Sequence, residues 1–209
     1  MKSIKYPNIR KELLKLVEEE QRELTHVFNN SNKSMVNKKL DMAMRNCHKR
    51  SDHVIRILKN IKEPTVENIG QDGSGAVCTL VMHSHLSLMK DVLHIYERLL
   101  EIDKDQIPLK YIPALVDRIK ILETKKQLYG TQWMLDKNDN PFLIEIIDFK
   151  SVNKRRREFG LNSIKKPIDL TAGHKKRPIG TGLADISNMK KLTKSEFKSY
   201  SKYYLEKIV

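Results

Sequence analysis

Apolar residues recur along the first two thirds of the chain at spacings of three and four, the signature of helices with one buried face. Leu13, Val17, Leu24 and Val27, with Leu14 and Phe28 beside them, predict a first helix from about Asn8 to Phe28. Asn29-Asn30-Ser31-Asn32 supplies turn-forming residues to end it. Val36, Leu40, Ala43, Cys47, Val54, Leu58 and Ile61 predict a second helix from about Met35 to Ile61. Pro64 closes it, because the residue before a proline is pushed out of helical geometry. Val77, Leu80, Val81, Leu88, Val92, Ile95 and Leu99 predict a third, from about Ala76 to Leu100, capped by Asp72 or Ser74. Ile112, Leu115, Ile119 and Leu122 predict a fourth, from about Leu109 to Lys126.

The period then shortens. Thr131 to Leu135 and Phe142 to Ile147 read as two short strands around the turn-rich Asp136-Lys137-Asn138-Asp139-Asn140-Pro141, which predicts a β-hairpin. A short helix follows over Ser151 to Phe159 and ends at Gly160. After Leu161 the apolar content thins, which places the end of the compact domain near Ile164, and only Lys194 to Ile208 reads as helical. The expected fold is mainly α: a four-to-five-helix bundle with one small β-hairpin and a basic, partly irregular C-terminal tail. The expected domains are 1–164, compact, and 165–209, an extension.

Charge sharpens that division. The 209 residues carry a net charge of +14. Residues 150–209 hold 16 Lys/Arg against 5 Asp/Glu, whereas the first 149 hold 24 against 21. A nearly neutral body with a basic end points toward a polyanionic partner for the end. The two cysteines, Cys47 and Cys78, lie within apolar-periodic stretches and read as reduced core thiols rather than a disulfide framework. Met1-Lys2-Ser3-Ile4-Lys5 is not followed by an apolar stretch, and no apolar run is long enough to span a bilayer. The expectation is therefore a cytoplasmic chain with no membrane contact.

The candidate chemistry lies in polar residues on faces that the pattern buries. Glu20 and Gln21 sit on the stripe of the first helix between Val17 and Leu24. A carboxylate there is paired, protonated or metal-bound, unless that edge of the helix is simply solvated. His83-Ser84-His85 sits mid-way along the third predicted helix. Residues two apart on a helix point to nearly opposite sides, so His83 and His85 would not share a metal ion. No recognised metal or cofactor motif occurs, so neither is specified. Asp117-Arg118 forms a local ion pair or a site. Gly70-Gln71-Asp72-Gly73-Ser74-Gly75 lacks the lysine and strand context of a phosphate loop and reads as a linker. Gln127-Leu128-Tyr129-Gly130-Thr131-Gln132 joins the fourth helix to the first strand, either as an ordinary turn or as the wall of a binding site.

Several of these segments together resemble the largely bacterial family filed as domain of unknown function 6624. Asp117-Arg118 followed by Lys126-Gln127-Leu128-Tyr129-Gly130-Thr131-Gln132 looks like its "DR … K-x-Q-x-YGTQ" signature. Arg155-Arg156-Arg157 to Gly160-Leu161 is similar to its "RR-x-x-x-GL" segment. Ile69-Gly70 through Gly73-Ser74 to His83 resembles its "VG-x-x-GS … QH" helix, with Met82 in place of Gln. Glu20-Gln21 stands where the family has Asp-Gln. Its Gly-Trp-Pro turn is Lys62-Glu63-Pro64 here, and the acidic residue after its histidine is His85. The resemblance runs from about Leu13 to Leu161 and brings no established activity. A polar signature drawn from four segments implies one convergent pocket.

Two functions follow as expectations. One is an enzyme, a hydrolase or group transferase acting on a small polar or anionic molecule. In it Glu20 is general base, His83 is acid or second base and Asp117 completes the catalytic set. Arg118 grips an anionic group, and Gln21, Gln127, Tyr129, Thr131 and Gln132 hold the substrate. The other is a nucleic-acid- or partner-binding module. Its basic clusters are Arg155, Arg156 and Arg157, then Lys165-Lys166, then Lys175, Lys176 and Arg177, then Lys190-Lys191, with Tyr200, Tyr203 and Tyr204 interleaved. The plain alternative is a solvated basic extension.

Overall fold

A computed structural model describes residues 3–29, 33–135 and 141–164, with side chains outside 26–41, 44 and 133–142. The described chain is mainly helical and forms two compact units, one ending at Tyr111 and the other beginning at Ile112. The extension 165–209, including Lys175, Lys176 and Arg177, lies outside the described residues, as does the turn at 136–140.

The first unit is built from α1 (Pro7–Asn29), α2 (Lys33–Ile61), α3 (Val66–Val81) and α4 (Leu86–Ile102), followed by 3-10 turns at Lys104–Gln106 and Leu109–Tyr111. On α1 the buried stripe is Leu13, Leu16, Glu20 and Leu24, one position round from the expected line through Val17. On α2 it is Ala43, Cys47, Arg50, Val54, Ile57 and Ile61. A carboxylate and a guanidinium thus occupy core positions of adjacent helices.

The glycine-rich run is helix, not linker. Thr65 caps α3 by accepting from the Asn68 amide at 3.1 Å, in place of the expected Asp72 or Ser74. Gly70 adopts φ 77°, which kinks the helix, and a Cβ there would meet Ile4 at 2.9 Å. Gly70, Gly73, Ser74 and Gly75 are buried, whereas Gln71 and Asp72 are exposed. The Ser74 hydroxyl donates to the Pro64 carbonyl and lies 3.1 Å from the hydroxyl of the fully buried Tyr96. Asp72 instead receives Arg10 Nε at 2.7 Å.

The expected third helix is two helices. Its apolar period continues in phase across the break, and no glycine or proline marks it. At the end of α3 the Ser84 hydroxyl donates to the Val81 carbonyl at 2.6 Å, and the amides of His83 and Ser84 turn back three residues rather than four. His85 is extended and starts α4. The premise that kept His83 and His85 on opposite sides of one helix therefore fails.

The second unit starts with α5 (Ile112–Leu122), shorter than the expected 109–126 because the chain leaves helical geometry before Thr124, whose φ is 60°. Strand β1 (Trp133–Leu135) pairs antiparallel with β2 (Pro141–Leu143). Thr131, Gln132 and the stretch Ile144 to Ile147, expected in the strands, lie outside them. Ile146 bridges to Gln127 instead. Helix α6 (Val152–Glu158) ends at Gly160, φ 65°, where the amides of Gly160 and Leu161 return to the Arg157 and Arg156 carbonyls.

Candidate functional site

In the first unit, three chain segments meet at Glu20. Its side chain is fully buried, and Oε1 lies 2.7 Å from His83 Nδ1, 63 residues away. The turn between α3 and α4 makes that approach, since it swings His83 off the helix. An ionised carboxylate can only accept, so in that state Nδ1 carries the hydrogen. The other ring nitrogen, Nε2, makes no hydrogen bond among the described residues, and the His83 side chain is 15% exposed.

Helix α2 brings two more groups. Arg50 Nη2 donates to Glu23 Oε2 at 2.9 Å and to Cys47 Sγ at 3.6 Å. Its Nε comes within 3.4 Å of Glu20 Oε2, but neither atom has a hydrogen-bond partner. Burial works against the Arg50 charge, and the contacts with Glu23 and Cys47 outweigh it. Cys47 is pushed up to about 12, chiefly by burial and then by the charge of Glu20, with Arg50 pulling the other way. It is a neutral thiol at ordinary pH, not a ready nucleophile. Gln21 is half-buried, with its Nε2 unpartnered. The His48 ring stacks against His85 at 4.4 Å, and burial together with His85 lowers its pKa.

The second unit brings together the other candidates. Asp117 is fully buried and accepts from the amides of Leu128, Tyr129 and Thr131 at 2.7, 3.0 and 2.9 Å, and from the Thr131 hydroxyl at 2.8 Å. Burial raises its pKa, against the pull of those donors. Gln127 Nε2 donates to the carbonyls of Gln132 and Ile144 at 2.9 and 2.6 Å, and its Oε1 accepts from the Gln132 amide at 2.9 Å. Gln132 Nε2 reaches the Ala114 carbonyl at 3.4 Å. The Tyr129 ring meets Phe159 edge-on. Arg118 is half-buried.

Two arginines of the basic run also face inward. Arg155 donates to the carbonyls of Leu128, Ile147 and Asp148, and the buried Arg156 to those of Asn162 and Tyr129. Arg157 is exposed.

Of the candidates, then, Glu20 and His83 are brought into contact, and in the other unit Asp117 of α5 accepts from the loop that holds Gln127, Tyr129, Thr131 and Gln132. Cys47 and Arg50 were missed as site residues. Arg50 carried a readable signal, since it falls on the stripe running from Ala43 through Cys47 to Val54. Cys47 carried none, because a core cysteine looks the same whether or not polar groups face it.

No family model, curated protein or solved structure matches this chain. The resemblance to the family of unknown function rests on its motifs alone.

Proposed function

We propose that this protein is an enzyme performing proton-transfer chemistry, hydrolysis or group transfer, on a small polar or anionic molecule, with Glu20 and His83 as its acid–base pair. The contact of 2.7 Å between a fully buried carboxylate and a partly exposed imidazole carries this reading. It revises the roles. Glu20, out of reach of solvent, orients the ring and supports its positive charge, and His83 Nε2 moves the proton. Gln21, one residue from Glu20 with a free amide, contributes to holding the substrate. Asp117, Gln127, Thr131 and Gln132 have their polar atoms engaged in one loop, which suits positioning better than proton transfer. Arg118 belongs to the second unit and has no part in this reading of the first.

The test is a screen of chromogenic phosphate and carboxylate esters, with His83→Ala and Glu20→Gln beside wild type. His83→Ala should lower kcat by about 10²–10⁴-fold and remove the histidine limb of the pH–rate profile. Its melting temperature should fall by several degrees, because the buried Glu20 carboxylate loses its hydrogen-bond partner, while the protein stays folded at the assay temperature. Turnover that survives His83→Ala with the same pH profile would end the proposal.

A binding module acting through the basic extension is the alternative, favoured by the excess of 16 Lys/Arg over 5 Asp/Glu in residues 150–209.

A further inference from the structure

Acid–base chemistry leaves one feature of the Glu20 cluster unexplained. Glu20 Oε2 is fully buried and accepts no hydrogen bond. Two carboxylates, Glu20 and Glu23, face the single guanidinium of Arg50. That guanidinium is hydrogen-bonded to Glu23, and its Nε lies near Glu20 without a hydrogen bond. A buried carboxylate oxygen left in this state is destabilising unless a further cation meets it.

The groups around it are metal ligands. One ligand atom each from Glu20, Cys47 and His83 lie within 4.8 Å of one another. Ligand atoms around a four-coordinate zinc ion, with bonds of about 2.0–2.3 Å, stand roughly 3–4 Å apart. Small side-chain rotations therefore close the set. The three residues come from α1, α2 and the turn after α3, so helix packing holds them.

We propose that Glu20, Cys47 and His83 form a three-ligand site for a divalent transition-metal ion of the zinc class. A thiolate with an imidazole selects such an ion over magnesium or calcium, which prefer oxygen donors. Binding replaces the hydrogen bond between Glu20 and His83 with the ion: the ring hydrogen moves from Nδ1 to Nε2, and Cys47 releases its proton to solvent. Three protein ligands leave a fourth position for water or substrate, as in catalytic rather than structural zinc sites. This goes beyond the acid–base pair, since metal binding stands or falls without any activity.

The experiment is a cobalt(II) titration of the metal-free full chain, followed by absorbance. Wild type should take up one equivalent, with an intense thiolate-to-cobalt charge-transfer band in the near ultraviolet that zinc removes. Cys47→Ser should abolish the band. Cys78 is the only other thiol, so a band that survives Cys47→Ser overturns the site. Absence of any band in wild type overturns it too. Should Cys47→Ser fail to fold, His83→Ala decides, because that ligand is the one of the three that is partly exposed. It should weaken cobalt binding by more than the roughly 10–100-fold typical of losing an outer-shell partner. Unchanged affinity in His83→Ala overturns the proposal. A failed titration leaves the acid–base reading standing, and a failed esterase screen leaves the metal site standing.

Discussion

Burial governs the chemistry of single residues in this chain, and the two thiols show it most simply. Cys47 and Cys78 are both raised from 9.0 to about 12, Cys47 by burial and then Glu20, Cys78 by burial against a hydrogen bond from Tyr96. In the unfolded chain both ionise near pH 9, whereas the metal-free folded chain keeps both protons until about pH 12. Unfolding in that window releases protons. The thiols' contribution to stability is therefore complete below about pH 9 and is lost as pH rises toward 12, by about 1.4 kcal/mol per pH unit for each thiol. Urea unfolding measured between about pH 9 and about pH 11 should show at least that slope, since burial raises the Tyr96 hydroxyl as well, and Cys78→Ala should flatten it by one proton's worth. A Cys78→Ala slope identical to wild type would mean that this thiol ionises freely in the native state.

At the scale of elements, the loop from Gln127 to Gln132 illustrates how polar side chains replace missing backbone pairing. It is neither helix nor strand, so its amides need other acceptors, and Asp117 and Gln127 supply them. Gly130 allows the turn, with φ 66° and Ile146 only 2.5 Å from where a Cβ would sit. Asp117→Asn turns an amide toward donors that need an acceptor. It should destabilise the protein by about 2–4 kcal/mol. Hydrogen exchange should quicken at the amides of Leu128, Tyr129 and Thr131 before it does within α5. Protection unchanged at those three amides would show that the loop is held by something other than Asp117. The sequence marked this loop as unusual, since Gln127, Tyr129, Gly130, Thr131 and Gln132 interrupt the apolar period there. Which of its side chains serve the fold and which could serve a ligand was not legible, because the donors and their acceptor lie 11 to 14 residues apart.

For the whole molecule, charge distribution is the feature with consequences at long range. Residues 165–209 hold 11 Lys/Arg against 4 Asp/Glu. Among the body's basic run, Arg155 and Arg156 are committed to backbone carbonyls, so in the binding-module reading phosphate contacts would fall to Lys154, Arg157 and the extension. Binding to single-stranded RNA should therefore weaken steeply with salt, by about 0.7 logarithmic units per tenfold salt for each phosphate neutralised. Removing residues after Ile164 should flatten that dependence. RNA affinity indifferent to both salt and truncation would exclude a role for the extension. Among the described residues no helix is long and apolar enough to cross a membrane.

Periodicity alone determined that the described chain is mainly helical and where α1, α2, α5 and α6 lie to within a few residues, because burial of one helical face repeats in the sequence itself; for Glu20 it left a buried position and a solvated edge both open. Only tertiary structure decided that α3 and α4 are separate, since a single hydroxyl-to-carbonyl bond at Ser84 leaves no mark on the apolar period. Only tertiary structure set His83, Cys47 and Arg50 around Glu20. Their separations in sequence span 27 to 63 residues, and no local pattern encodes which buried polar groups will meet across packed helices.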